Sequence, residues 1–106
     1  MKESTVQPNI CAARTFLFVP GHRPEWFEKA AKSGADCIVL DLEDGVPADQ
    51  KGAAREAISL AWGTLSALGV PVVIRINSIE TEPAKVDLNW LGSGSVTPAA
   101  LMVPKA

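Results

Sequence analysis

Four short apolar runs alternate along the chain with longer stretches in which apolar residues recur at helical spacing. Runs of this kind predict β-strands, here over residues 14–19, 36–42, 71–77 and 98–106. Their nearly continuous apolar character, without strict alternation, is typical of strands buried on both faces. The stretches between them predict three helices, over residues 24–34, 49–69 and, more weakly, 84–92.

The order of these elements predicts an α/β fold with a parallel sheet, because parallel neighbours need a long return connection, which is usually a helix. The pattern leaves open whether the sheet is open and doubly wound or part of a closed barrel. No GxGxxG sequence follows the first strand to indicate a dinucleotide fold. Residues 1–13 show no period and predict a flexible leader. We therefore expect one unit over residues 14–106, with about four strands and three helices.

Composition and charge narrow the classes of function. Of the 106 residues, 47% are hydrophobic and 21% are charged, which favours a globular unit over disorder. The net charge of −2 and the scattered basic residues argue against nucleic acid or a membrane as a partner. The sequence has neither a spanning apolar run nor the apolar centre of a secretory signal, so we expect a cytoplasmic protein. Cys11 and Cys37 lack CxxC spacing and are expected to be reduced, structural thiols.

An acidic cluster follows the second predicted strand, in the stretch "VLDLEDGV" with Asp41, Glu43 and Asp44. One interpretation is a solvated turn before a helix, where acidic residues complement the helix dipole. The other is the rim of a site, because ligands bind at the carboxyl ends of parallel strands. Strand alternation places Asp41 and Glu43 on one face, and a buried carboxylate needs a cation, a metal or backbone donors. We predict that Arg75, from the next strand, is the partner of Asp41.

Arg75 is the strongest candidate for a functional residue. It lies between two isoleucines, and its guanidinium fork suits a substrate carboxylate or an enolate oxygen. The alternative is an arginine that only neutralises Asp41 or Glu43. Further polar residues at predicted strand ends are His22, Arg23, Asn77 and Lys105. A lone histidine without nearby ligands does not indicate a metal site, and Arg23 fits a phosphate contact or a solvated loop charge equally well.

Three segments of the chain resemble a known family. The segments "RTFLFVPGHRPEWFEKAAKSGADCIVLDLEDGVPADQKGAAR", "VVIRIN" and "LMVPKA" resemble the N-terminal part of the citrate lyase beta-subunit-like proteins, in the HpcH/HpaI aldolase and citrate lyase superfamily. The resemblance covers residues 14–106 and implies the first half of a (β/α)8 barrel. It also implies a carbon–carbon lyase, usually dependent on Mg²⁺, that cleaves or forms a citryl-, malyl- or citramalyl-like thioester. The partners are then a keto acid and an acyl thioester of coenzyme A or acyl carrier protein.

The resemblance also implies roles for individual residues. Arg75 would be catalytic, binding the keto acid and stabilising developing negative charge. Glu43 and Asp44 would lie beside Mg²⁺ and contact it through water, with the direct ligands outside this chain, while Asp41 supports the rim. Substrate-binding roles are also predicted for Asn77, Arg23 and Lys105, the last two near the thioester carrier or the rim of the site.

A whole barrel of this type takes about 250 residues. Four strands cannot close it, and open edges would expose hydrogen-bonding groups. We therefore expect a homo-oligomer, or a complex with a chain that supplies the remaining strands, and no activity from this chain alone. The alternative interpretation is a truncated, non-catalytic homologue that acts as an assembly or carrier-binding module.

Overall fold

The computed structural model describes residues 15–94 and 96–104. Its centre is a four-stranded, fully parallel sheet in the order β1-β2-β3-β4. The strands are β1 (Phe16–Pro20), β2 (Cys37–Asp41), β3 (Val72–Arg75) and β4 (Ala100–Met102). The predicted leader, Cys11 and Lys105 lie outside the described residues. The prediction of a parallel α/β sheet is confirmed.

Three α-helices connect the strands: α1 (Phe27–Ala31), α2 (Lys51–Ala67) and α3 (Glu82–Gly92). Single turns of 3₁₀ helix, Pro24–Trp26 and Ala48–Gln50, lead into α1 and α2. Every predicted strand and helix is present in the predicted order, but most of the elements are shorter than predicted. Helix α3 instead begins earlier, at Glu82, because Thr81 caps it by accepting a hydrogen bond from the Ala84 amide.

The strand order resolves the alternative that the sequence pattern left open. Each strand pairs with the one before it in the chain, whereas a doubly wound sheet reverses its strand order at a switch point. A (β/α)8 barrel is built from successive strands in sequential order. The described sheet therefore has the topology of barrel units, with β1 and β4 as its two edges.

The two faces of the sheet are covered unequally. One face packs against the helices in a core that includes Leu40, Ile74, Phe27 and Ile58. The other face carries a small apolar cluster centred on Cys37, Val39 and Val73.

The prediction that all strands are buried on both faces holds for β2 but is wrong for the two edge strands, β1 and β4, the latter with an exposed Leu101. Every residue of β2 is buried, because β2 has a neighbouring strand on each side. Phe16, Leu17 and Phe18 are exposed, because β1 is an edge strand within this chain. Within the described part of the chain, no helix is both long and apolar enough to span a membrane.

Candidate functional site

Asp41 and Arg75 close strands β2 and β3 side by side at the carboxyl end of the sheet. The Arg75 guanidinium donates two hydrogen bonds to the Asp41 carboxylate: Nε donates to Oδ1 at 2.8 Å, and Nη2 donates to Oδ2 at 2.7 Å. A planar fork of this kind fixes the orientation of both groups. The Phe18 ring, whose centroid lies 5.3 Å from the guanidinium carbon, adds a cation–π contact. The predicted partnership of Arg75 and Asp41 is confirmed.

The carboxylate of Asp41 is fully engaged in hydrogen bonds. Besides the two bonds from Arg75, it accepts one from the Glu43 amide at 2.9 Å and one from the Gly45 amide at 2.7 Å. An ionised carboxylate has about four acceptor sites, so no site is left for a metal ion. The side chain is also buried, with only 4% of the residue exposed. Asp41 therefore organises the end of β2, and its role at the rim of a site stays a prediction.

These contacts determine the charge states of the pair. Burial acts to raise the pKa of Asp41, but the hydrogen bonds from Arg75 and from the Glu43 and Gly45 amides outweigh it, and the pKa lies below its ordinary value. The hydrogen bond to Asp41 raises the pKa of Arg75 above its ordinary value. Both groups are therefore charged at neutral pH.

The Glu43 backbone is hydrogen-bonded to Asp41, but its carboxylate meets the pair only through a longer ion-pair contact with Arg75, and Asp44 follows directly in the chain. The Oε1 atom of Glu43 lies 3.6 Å from Nε of Arg75, and its side chain is 21% exposed. Asp44 is exposed, and its charge contributes to the raised pKa of Arg75. The Glu43 carboxylate lies near the same guanidinium that Asp41 binds, although Glu43 follows the end of β2 and is therefore not placed there by strand alternation.

Two glycines permit the close packing around Asp41. A Cβ atom at Gly45 would lie 2.6 Å from Oδ2 of Asp41, and one at Gly21 would lie 2.7 Å from the Asp41 carbonyl oxygen. Real Cβ atoms essentially never approach this closely. Gly21 belongs to the loop after β1, and its amide donates to the Asp41 carbonyl at 2.8 Å. The loop after β1 is thereby joined to the last residue of β2 at the carboxyl end of the sheet.

Lys51, the first residue of α2, is a part of this site that the sequence reasoning missed. Its Nζ atom donates to the carbonyl oxygen of Leu42 at 2.8 Å and to that of Glu43 at 2.9 Å. The sequence prediction began this helix at Asp49, an acidic residue of the kind a helix N-terminus favours, whereas α2 begins at Lys51 and has no acidic residue in its first turn.

A second missed cluster holds the end of β3. Asp87 of α3 is fully buried and accepts hydrogen bonds from the backbone and side-chain nitrogens of Asn77, at 2.9 and 2.7 Å, and from Nε of Arg55 at 2.7 Å. Because its amide donates to Asp87, Asn77 does not continue the strand ladder, so β3 does not reach residue 77 as predicted. The sequence signal was that Asp87 follows the buried Ala84 by three positions, which places this acidic residue on the buried face of the helix. Substrate binding by Asn77 stays a prediction, and Asp87 accepts one of the hydrogen bonds that the side-chain amide of Asn77 can donate.

Two further predicted residues, Arg23 and His22, have other surroundings than the Asp41–Arg75 pair. Arg23 is exposed, with its guanidinium carbon 5.4 Å from the Trp26 ring centroid and Nη1 at 3.7 Å from Glu25. His22 is partly buried, and its Nδ1 atom has no hydrogen-bond partner among residues 15–94 and 96–104. Lys105 lies outside those residues.

No cluster of three or more acidic, histidine or cysteine side chains suited to a metal ion occurs in the described ranges. Because Asp41 is fully engaged, Glu43 and Asp44 are the carboxylates at this strand end that fit contact with Mg²⁺, which usually keeps several of its waters. They fit a role through those waters and do not form a complete set of direct ligands.

Comparison with known proteins identifies the family. The sequence profile of the HpcH/HpaI aldolase/citrate lyase family matches residues 14–106. The chain belongs to this family. Human mitochondrial citramalyl-CoA lyase is 36% identical to it over 92 residues, which are 87% of this chain and 27% of the human protein.

Two solved structures from Mycobacterium tuberculosis are similar to the chain. The citrate lyase beta subunit complexed with oxaloacetate and magnesium superposes with a TM-score of 0.72 and is 38% identical, over 91% of this chain and 40% of its own. CitE in complex with magnesium, acetoacetate and coenzyme A superposes with a TM-score of 0.70 and is also 38% identical, over 88% and 33%. The chain thus spans well under half the length of these relatives.

Proposed function

We propose that the chain supplies the first βα units of a carbon–carbon lyase. The enzyme would cleave a 3-hydroxyacyl thioester into an acyl thioester and a keto acid, or form it from these two. The observation that carries the proposal is the Arg75–Asp41 pair, with Glu43 and Asp44 beside it, at the carboxyl end of barrel-type strands in a member of this family. In (β/α)8 enzymes that end of the strands holds the active site.

Arg75 is the proposed catalytic and keto-acid-binding residue. A guanidinium has five N–H donors, and Asp41 accepts hydrogen bonds from two of them. The other N–H groups suit the carboxylate of a keto acid and the oxygen that gains negative charge as the carbon–carbon bond breaks. Because Asp41 and Phe18 hold the guanidinium in place, little reorganisation is needed when that charge develops.

The acidic pair is the proposed contact for magnesium. Glu43 and Asp44 would accept hydrogen bonds from metal-bound waters, and the direct ligands would come from strands beyond this chain. Bound magnesium would supply a Lewis acid that polarises the keto acid carbonyl. The three carboxylates outnumber the two cations, Arg75 and Lys51, and the remaining negative charge favours a further cation at this position.

The proposed substrates follow the relatives' ligands. A relative was solved with oxaloacetate and another with coenzyme A, which supports a keto acid and an acyl thioester as partners here. Exposed Arg23 and the residue Lys105 are the proposed contacts to the thioester carrier, and Asn77 to the keto acid. A cytoplasmic location stays a prediction, made from the lack of a spanning apolar run and of a secretory-signal pattern in the sequence.

We further propose that the 106-residue chain is inactive alone. It aligns with only 27% of a citramalyl-CoA lyase, and Phe16 and Phe18 are exposed on its edge strand. An uncovered apolar edge favours association, either with a second copy or with the strands that complete the barrel.

A chimera tests the proposal. Residues 14–106 would replace the aligned segment of human citramalyl-CoA lyase, and cleavage of the carbon–carbon bond of citramalyl-CoA would be followed as release of the keto acid. Arg75→Met should lower kcat/KM by at least about 100-fold, because an oriented donor to a developing oxyanion contributes that much. Lys85→Met, on the exposed face of α3, is the matched control and should change it less than about threefold. Unchanged activity in the Arg75→Met chimera would contradict the proposal.

A further inference from the structure

Lys51 occupies an electrostatically unfavourable position. It is the first residue of α2, where the helix dipole favours anions, and the first turn of α2 contains no acidic residue to offset its charge. The preceding 3₁₀ turn supplies only Asp49, which is exposed. The favourable free energy that offsets this unfavourable interaction with the helix dipole must come from the contacts of the Lys51 ammonium group itself.

Those contacts are two consecutive backbone carbonyl groups. The chain leaves the sheet after Asp41, and the carbonyl groups of Leu42 and Glu43 both accept hydrogen bonds from Nζ of Lys51. Backbone carbonyls that leave a ladder and stay partly buried need other donors. A charged donor forms stronger hydrogen bonds than a neutral one.

The same short loop is held at its amide groups by Asp41. Its carboxylate accepts hydrogen bonds from the amides of Glu43 and Gly45, and the Val46 amide closes the turn onto the Glu43 carbonyl at 3.2 Å. Glu43 is therefore held at its N–H by an anion and at its C=O by a cation. Asp44 follows directly, between two residues whose backbones are fixed.

We propose that Lys51 is a positioning residue, which holds the backbone from 42 to 45 so that the Glu43 and Asp44 carboxylates stay fixed beside Arg75. The inference rests on the proposed function, in which these two carboxylates contact metal-bound water. Lys51 itself touches neither substrate nor metal in this account. It acts through the backbone of residues 42–45.

Amide hydrogen exchange in the 106-residue chain tests the inference without metal or substrate. In Lys51→Met the Glu43 and Gly45 amides should exchange at least about tenfold faster, because a hydrogen bond to a charged group contributes that factor or more. The Ile58 amide, inside α2, should be unchanged. Lys51→Arg, which keeps a charged donor, should stay within about threefold of the wild type, and so should Lys85→Met as a matched lysine control.

Three results would overturn the inference. One is wild-type exchange at Glu43 and Gly45 in Lys51→Met, and another is equal acceleration at Ile58, which indicates loss of general stability. The third is loss of the fold in both Lys51→Met and Lys51→Gln, because Lys51 would then stabilise the whole chain instead of the loop. Since none of these readouts needs catalysis, an inactive lyase chimera would count against the proposed function and leave the positioning role to be decided by exchange.

Discussion

Arg75 binds the end of β2 through both its side chain and its backbone. Its side chain grips the Asp41 carboxylate with two hydrogen bonds, and its carbonyl oxygen accepts a third from the Leu42 amide at 2.9 Å. The residue expected to bind substrate is thus also the residue that ends the β2–β3 ladder. Changes at Arg75 should consequently affect both stability and chemistry.

Removal of the Arg75 guanidinium should destabilise the chain. Arg75→Met leaves the Asp41 carboxylate buried without its cation, and we expect the free energy of unfolding to fall by about 3 kcal/mol. Arg75→Lys keeps the charge but loses the planar fork, so the loss should be smaller, about 1 kcal/mol. Urea unfolding measures both. Arg23→Met, at an exposed arginine, should change stability by less than about 0.5 kcal/mol, and an equal loss there would contradict this assignment.

Stability should fall in acid because of Asp41. Its pKa is lowered in the folded chain, so the unfolded chain binds this proton more tightly. The contribution of Asp41 is therefore fully present above the unfolded pKa of about 3.9 and is lost as the pH falls through the lower folded value. The urea midpoint should drop more steeply below about pH 4 in the wild type than in Asp41→Asn. Identical pH profiles for the two proteins would show that the pair does not carry the effect.

Substitution of the buried Asp87 should lower the free energy of unfolding more than most substitutions in this chain. Asp87→Ala leaves Arg55 and the Asn77 amide without their acceptor, and breaking a buried pair in this way costs about 3–5 kcal/mol. Glu82→Ala, on the exposed side of the same helix, should cost less than about 1 kcal/mol. Thermal unfolding measures the difference, and comparable losses in the two variants would be inconsistent with the network.

Substitution of glycine by alanine should change the free energy of unfolding in opposite directions at Gly45 and Gly63. Gly45→Ala forces a Cβ against the Asp41 carboxylate and should destabilise by about 1–3 kcal/mol. Gly63→Ala, inside α2, places its Cβ where no atom lies within 4 Å and should stabilise by about 0.5–1 kcal/mol. Denaturant midpoints of the two variants check the prediction. A neutral effect at Gly45 would show that the loop can move away from Asp41.

Local patterns predicted the order of elements, and one tertiary contact followed from them. Apolar runs and helical spacing were sufficient for four strands and three helices, because each signal lies within a single segment. The Asp41–Arg75 contact could also be predicted, since side-chain alternation and strand adjacency place both residues on one face. The exposed β1 could not be recognised by pattern, because its apolar composition matches that of a central strand.

The contacts of Lys51 and Asp87 needed the three-dimensional structure. Lys51 contacts backbone atoms eight and nine residues away, and the carbonyl groups that need a donor are invisible in a sequence. Asp87 meets Arg55 across 32 residues and Asn77 across 10, so its partners depend on how α2 and α3 pack. Both residues are charged where a local rule predicts otherwise, and such violations are the signal to follow.

The central claim is that this chain carries one part of a shared magnesium and keto acid site. Calorimetric titration of Mg²⁺ with and without oxaloacetate, on the 106-residue chain and on the lyase chimera, tests it most directly. We expect no binding by the folded chain alone, and binding by the chimera that tightens with oxaloacetate and weakens in Asp44→Ala. Binding by the chain alone that tightens with oxaloacetate and disappears in Asp44→Ala would contradict the claim, because the site would then be complete within these residues.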